Sequence, residues 1–381
     1  MKILALTSEF APFRGGIGTY AAGLARAATE LGHEMVLAAP DYGEENGASD
    51  RRESPFEIIR YSGGPHRAKD VPGKIALARR LVGQGQFDLV HAMDWPFFLP
   101  AALAARRVPR LYSVHGSEIA HMARPTRRLA ISATGVWQGD YRVLGVSGFT
   151  HALFCRHFPE LPPERSGFVH LGVDADWLAH QGKRDDRARL ALPGDRLIVL
   201  TLARVTRRKG HLAALEALAR LPERVRDSLV YVIAGPDCED DYRRELEAAI
   251  AASPADVRRY RGLDRADVMA LVAAGDIFCL PGGSGADGQV EGFGLVLLEA
   301  GSQGLPLIAG DVGGVAEVVH DGISGLVVPP RDVAALAHAL LRLADEGQLR
   351  ARLGRGARAR AESLTWQRCA GLTYGPAAGA R

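Results

Sequence analysis

The sequence predicts an α/β protein made of two doubly wound parallel-sheet domains in tandem. Three observations predict it. Short aliphatic or β-branched runs alternate with longer amphipathic runs rich in Ala, Leu and Arg, the rhythm of strand–helix repeats. That rhythm stops at a polar stretch after residue 172 and restarts near residue 190. The chain of 381 residues, 47% hydrophobic and 24% charged, is ordinary globular material, and a single core rarely grows beyond roughly 250–300 residues.

The elements follow in order. The N-terminal run MKILALTSEF holds one lysine and reaches Glu9 at once, so it reads as a buried first strand over 3–7 and not as a signal peptide. Further strands are predicted at 34–38, 89–92, 110–114 and 143–146, with helices at 19–31, 74–83, 99–105 and 148–157. Ser147 lacks the flanking-glycine pattern of a nucleophile elbow and reads as the N-cap of the helix from Gly148. Residues 181–189 are charged and poor in large apolar side chains, and Leu192-Pro193-Gly194 follows, which places a linker near 172–193. The second half predicts strands at 197–202, 229–234, 277–280 and 306–309, and helices at 211–220, 241–251, 295–301 and 333–344. A helix over 364–374, carrying Trp366 and Tyr374, is expected to pack back on the first domain. The domains are therefore 1–172, completed by about 364–381, and 190–362, with an interdomain cleft. Ligands of such sheets bind at the carboxyl ends of the strands.

Composition excludes several classes. A net charge of +3 carries no general nucleic-acid signature. No segment approaches the roughly 18 uncharged apolar residues of a membrane span. Cys155, Cys238, Cys279 and Cys369 form no CxxC pair, so disulfide and zinc frameworks are weak readings and a cytoplasmic protein is expected. The charge is uneven: residues 60–130 carry twelve Lys or Arg against four Asp or Glu, an excess of eight. A solvated basic face is the ordinary reading. The sharper one is a patch for anionic lipid at the inner membrane face or for a phosphate-bearing acceptor.

Four constellations can carry chemistry. Gly15 and Gly16 lie between the first strand and a helix, where backbone approaches a ligand closely and the helix N-terminus favours an anion; a plain tight turn explains them equally. Arg204 and Lys209, in LARVTRRKGH, put two cations after the first strand of the second domain, suited to a diphosphate leaving group, with Arg207 and Arg208 as competitors. Glu291 and Glu299 flank GFGLVLL. Their separation, on the order of 10 Å from helical rise, suits two ends of one donor better than a metal. Carboxylates accept from paired hydroxyls, and the amides around Phe293, Gly294 and Leu295 sit where an anion binds. His115 follows a strand of the first domain and could donate to a sugar hydroxyl or offer its backbone carbonyl. Asp174 and Asp176 match an Asp-x-Asp metal motif but fall at the linker entry, and two carboxylates alone rarely hold Mg²⁺; no metal site is expected.

With these residues in place, the sequence resembles the retaining glycosyltransferases of family 4, which have the GT-B fold. The match runs through GGIGTY, SVHGSEI, GVSGFT, HLGVDADW, LARVTRRKGH, VIAGPDC, YRGLDRADVMALVAAGDIFCLP, VEGFGLVLLEA and GGVAEVVHDGISGLVVPP, in family order over nearly the whole chain. The resemblance implies that Gly15 and Gly16 lie against the donor phosphate, that Arg204 and Lys209 grip the diphosphate, and that Glu291 holds the transferred sugar and Glu299 the ribose. It further implies amide contacts from Phe293, Gly294 and Leu295, base contacts from the stretch ending at Leu263, and a place for His115 at the reacting sugar. It implies a hexose donor carried on UDP or GDP, a hydroxyl acceptor (a glycan, a glycolipid or a small molecule), α linkage, and neither metal nor cofactor. The chain departs from many relatives in having Leu171 before Gly-Val-Asp, and its loop at 282–290 is longer than the shortest family versions. The competing readings are a nucleotide-sugar epimerase or a phosphorylase of the same fold, and a non-catalytic nucleotide-sugar-binding partner.

Overall fold

The computed structural model describes residues 1–13, 15–43, 50, 54–63, 68–180, 183–285 and 289–375. The chain forms two compact units, Met1–Gly172 with the residues from Trp366 onward, and Val173–Thr365.

The first unit carries β1 (Lys2–Leu6), β2 (Glu34–Pro40), β3 (Glu57–Tyr61), β4 (Leu89–Ala92), β5 (Arg110–Val114), β6 (Tyr141–Gly145) and β7 (Ser166–Phe168). They pair in parallel in the order β3-β2-β1-β4-β5-β6-β7. Ile3 to Leu6 are fully buried; a central parallel strand has both faces covered, so its sequence is continuously apolar and does not alternate. β3 and β7 escape the pattern because both are edge strands, half-buried in β3 and only three residues long in β7. Ser147 caps the Gly148–His157 helix in a capping box, its hydroxyl accepting from the Thr150 N–H at 3.1 Å. The C-terminal Trp366–Tyr374 helix lies against the Gly16–Glu30 helix. The approach is so close that a Cβ at Gly23 would stand 2.3 Å from the Trp366 indole. A buried polar thread fastens the same helix to the sheet: His91 bonds Ser113 at 2.7 Å and the Tyr374 hydroxyl at 2.8 Å, and the Tyr20 hydroxyl bonds Ser113 at 2.7 Å.

The second unit carries β8 (Leu197–Leu202), β9 (Leu229–Ala234), β10 (Asp256–Tyr260), β11 (Ile277–Leu280), β12 (Leu307–Gly310) and β13 (Gly325–Val328), again all parallel, in the order β10-β9-β8-β11-β12-β13. Residues 173–180 and 183–189, assigned by the sequence to the linker, fold with this unit. Trp177 is 3% exposed, and Arg187 ion-pairs with Asp276 while its Nε donates to the Ala274 carbonyl at 2.9 Å. The charged run reads as solvated because a sequence does not show that one of its arginines is turned inward to serve carbonyls and a carboxylate at the head of β11.

Both sheets reverse strand order once, between β1 and β4 in the first unit and between β8 and β11 in the second. Crevices at such switch points, outside the carboxyl ends of the strands, are where doubly wound sheets take ligands.

Candidate active site

The second unit's switch point collects most of the expected residues. Arg204 stands just past β8, and the turn Arg207–Lys209 leads into the His211–Ala219 helix. Lys209 is 8% exposed and ion-pairs with Glu291; Arg208 reaches the same Glu291 oxygen at 3.0 Å. The exposed Arg204 acts electrostatically on Lys209. Burial by itself would raise the Glu291 carboxyl, but Lys209 and Arg208 overrule it and hold it at about 2. Glu291 is thus a fixed anion held by two cations. Arg207 takes no part: it pairs with Glu245 at 2.5 Å and lies over the Tyr242 ring. Arg208, weighed in the sequence only as a competitor, is the arginine that contacts the acid.

Backbone geometry keeps Glu291 in place. The Gly314 N–H donates to the Glu291 carbonyl at 2.9 Å, and a Cβ at Gly313 would come within 2.0 Å of that carbonyl. Position 313 can therefore clamp the loop only as glycine. The Gly283 N–H donates to the Arg208 carbonyl at 2.9 Å, tying the loop after β11 to the cation turn. Residues 286–288 of the long loop lie outside the described residues. Gly294, at φ 95°, heads the Leu295–Ser302 helix, a left-handed position that suits glycine. The first N–H groups of a helix have no intrahelical partner, so this end offers donors to an anion. The Phe293 side chain is 2% exposed and anchors the turn in the core, which leaves its backbone as the part able to meet a ligand.

Glu299 lies one turn into that helix and is half-buried. Burial pushes its carboxyl up to about 7; Asp174 adds to the rise and Arg265 opposes it. Asp174 is therefore close to the second acid, not remote from it as its place at the linker entry suggests. Its carboxylate and that of Asp176 both face the Arg265 guanidinium, at 2.9 and 3.5 Å. Neither Arg265 nor this role of Asp174 was legible in sequence, because residue 174 is distant along the chain from 265 and 299. Leu263 is half-buried in the turn after β10, next to Arg261, which pairs with Asp237 at 2.9 Å and Glu247 at 2.7 Å. Among the described residues no group of three or more His, Cys, Asp or Glu is arranged to hold a metal.

In the first unit, Gly15 and Gly16 open the helix that follows β1. A Cβ at Gly15 would meet the Glu9 carboxylate at 2.4 Å, whereas one at Gly16 would meet nothing within 4 Å. The Glu9 carboxylate is the end of a flexible side chain that can yield, so the chain's own packing demands glycine at neither position. Half-buried His115 follows β5, edge-on to the Tyr20 ring at 5.1 Å between centroids. Its Nε2 lies 2.7 Å from the Met93 carbonyl. A carbonyl only accepts, so Nε2 carries a proton, and Nδ1 is the ring nitrogen left to meet a ligand. The ring donor that the sequence offered to a sugar hydroxyl is already committed to Met93.

The basic stretch at 60–130 is not one face. Lys74 and Arg110 are each 3% exposed, and Arg60 pairs with Asp50 at 2.6 Å. The exposed remainder gathers partly on the Pro125–Ala133 helix, which buries no residue, leaves Leu129 72% exposed, and sets Arg127 over Trp95. Arg67 lies outside the described residues. Among those described, no helix is long and apolar enough to cross a membrane.

Comparison with known proteins gives the following. The family described as Glycosyltransferase Family 4 matches residues 14–177, and the family described as Glycosyl transferases group 1 matches residues 182–360. The chain is 31% identical over 350 residues to a GDP-mannose-dependent alpha-(1-6)-phosphatidylinositol monomannoside mannosyltransferase of Mycolicibacterium smegmatis, covering 89% of this chain and 88% of the relative. It is 32% identical over 307 residues to a D-inositol 3-phosphate glycosyltransferase of Streptomyces scabiei, covering 76% and 67%. Among solved structures, Anabaena HepE in complex with UDP and glucose superposes with a TM-score of 0.80 at 20% identity, covering all of both chains. Sucrose-phosphate synthase from Thermosynechococcus elongatus superposes with a TM-score of 0.80 at 23% identity, covering 97% and 96%. These structures share the two-domain GT-B fold.

Proposed function

The chain belongs to the family 4 glycosyltransferases, and we propose that it transfers a hexosyl group from a UDP- or GDP-sugar to a hydroxyl acceptor with retention of configuration. The observation that carries this reading is the Arg208–Lys209–Glu291 cluster, set with Arg204 at the β8/β11 switch point. It combines fixed cations for a diphosphate with a fixed anion for hydroxyls.

In this reading Arg204 and Lys209 hold the diphosphate, with Arg208 beside them. The amides of Phe293, Gly294 and Leu295 complete the anion site at the helix N-terminus, and Gly15 and Gly16 meet the donor phosphate. Glu291 accepts from hydroxyls of the transferred sugar, Glu299 accepts from the ribose, and the turn at Leu263 meets the base. Cations and helix amides neutralise charge as the leaving group departs, so neither metal nor cofactor takes part. The bond from the anomeric carbon to the phosphate oxygen breaks, and the acceptor oxygen bonds that carbon on the same face. The acceptor proton passes to the departing phosphate. Glu291, held by two cations, binds hydroxyls in place of acting as the carboxylate nucleophile that retaining hydrolases use. His115 sits at the reacting sugar, its Nε2 hydrogen held by the Met93 carbonyl and Nδ1 turned to the ligand.

The acceptors named for the two relatives favour a sugar or polyol acceptor, lipid-linked or free. We place the protein in the cytoplasm, with contact at the inner membrane face through the exposed Arg127 and Leu129 of the Pro125–Ala133 helix. Equal sedimentation with neutral and anionic vesicles would remove that contact.

The deciding experiment is thermal unfolding with millimolar UDP, GDP or ADP and no added metal. Ligand at 100 times its dissociation constant adds about 2.7 kcal/mol. A shift with one nucleotide assigns the base, and the anomeric configuration of the product tests retention. No shift with any of them would sink the nucleotide site.

A further inference from the structure

At the switch point of the first sheet, Ser8 follows the end of β1 and Asp94 the end of β4. They are joined across it. Asp94 is 1% exposed; its Oδ2 accepts from the Ser8 N–H at 2.9 Å and from the Ser8 hydroxyl. Its Oδ1 is buried and receives no hydrogen bond from the described residues. Asp94 stands at the N-cap of the Trp95–Phe97 turn yet makes no capping bond there, although capping is the usual work of aspartate in that position. Burial pushes the Asp94 carboxyl up; the two Ser8 bonds oppose the rise, as do His115 and Lys74, the latter 3% exposed with its ammonium 5.2 Å above the Phe97 ring. Tyr61 and Tyr42 also face it electrostatically. A buried carboxylate oxygen with no donor is costly and needs an explanation. Local structure supplies none, because the turn is not capped and Ser8 is satisfied by the other oxygen.

We infer that Asp94 is the residue on which the acceptor docks, and that the part of the acceptor reaching it is uncharged and rich in hydroxyls. The inference rests on the glycosyl-transfer reading for there being an acceptor at all. A hydroxyl donates to Oδ1 and completes its bonding. A phosphate oxyanion has no hydrogen to give Oδ1 and would place its own charge in an interior that penalises charge. Lys74, the cation set against Asp94, is already offset by it. A phosphate attached directly to the acceptor ring is therefore disfavoured at Asp94, while one carried further away is not.

The test uses the full chain and matched acceptors: myo-inositol against D-inositol 3-phosphate, and methyl α-mannoside against its 6-phosphate. GDP-mannose and UDP-glucose serve as donors, and nucleotide release is read with and without acceptor. The uncharged member of a pair is expected to be used with about tenfold or greater advantage in kcat/KM. Asp94→Asn keeps an oxygen for Ser8 and should raise the acceptor KM by about tenfold, with the nucleotide-induced thermal shift unchanged. Ser8→Ala is the control, since it removes the hydroxyl bond to Asp94 but leaves Oδ1 in place. Preference for a phosphorylated acceptor, failure of both uncharged acceptors, an unchanged KM in Asp94→Asn, or an equal KM rise in Ser8→Ala would each overturn the inference. A wild-type chain with no nucleotide shift would instead overturn the transferase reading, so the two failures are distinguishable.

Discussion

The two glutamates of one short segment behave oppositely because their neighbours differ. Glu291 is held at about 2 against the effect of burial by Lys209 and Arg208. Its folded value lies below the ordinary carboxylate value near 4.5, so the stabilisation it contributes is full above pH 4.5 and is lost as pH falls towards 2. Glu291→Gln should flatten that part of the stability–pH curve and lower turnover on the order of 10²-fold or more. Lys209→Ala and Arg204→Ala should also collapse turnover while circular dichroism shows the fold retained. Normal turnover in all three variants would remove the proposed donor site. Glu299 runs the other way. Its carboxyl is raised to about 7, burial first and Asp174 second. The folded state then holds a proton that the unfolded state releases, so native stability declines as pH rises from about 4.5 to 7. Hydroxyl donors favour the ionised form, so nucleotide affinity should climb over roughly pH 6–8. Calorimetric titration of wild type and Glu299→Gln checks this, the variant losing both dependences.

Elements are positioned by contacts that single residues make possible. The Trp366–Tyr374 helix docks where Gly23 offers no side chain, since a Cβ there would meet the indole at 2.3–2.5 Å. The indole is 3% exposed and has little room to yield. Gly23→Ala should therefore destabilise the first unit by about 1–3 kcal/mol, the usual cost of overpacking, despite alanine's better helix propensity. Urea denaturation of the variant checks it, and equal or higher stability would contradict the packing argument. The Gly148–His157 helix depends on its N-terminal box, in which Ser147 and Thr150 serve each other's backbone. Ser147→Ala should cost about 0.5–2 kcal/mol in the same measurement. That cap was legible from residue type and position alone, whereas the Gly23 contact was not, because its partner lies more than 300 residues away along the chain.

At the scale of the whole molecule, the chain leaves its first unit at Gly172 and returns to it at Trp366. A chain ending at residue 365 would lack the helix that covers Gly23 and would leave His91 without its Tyr374 partner. Such a truncation should abolish the cooperative unfolding of the first unit while the Val173–Thr365 unit keeps its nucleotide-induced shift. Loss of that shift as well would mean that the second unit's site depends on the first.

What the sequence determined by itself is whatever is written locally. Apolar runs of four to six residues marked the central strands, and glycine and serine marked the turns and caps. Residue type and spacing alone singled out the paired glutamates and the basic turn as places for donor chemistry. Tertiary structure alone decided which of those side chains meet. Arg208 reaches Glu291 and Arg207 turns away to Glu245, although the two are adjacent and identical. Asp174 joins Arg265 beside Glu299, His115 spends its ring donor on Met93, and Asp94 keeps one oxygen unbonded in the interior. The reason is physical. Secondary structure follows from neighbours along the chain, but burial, charge pairing and hydrogen-bond satisfaction depend on residues brought together across it.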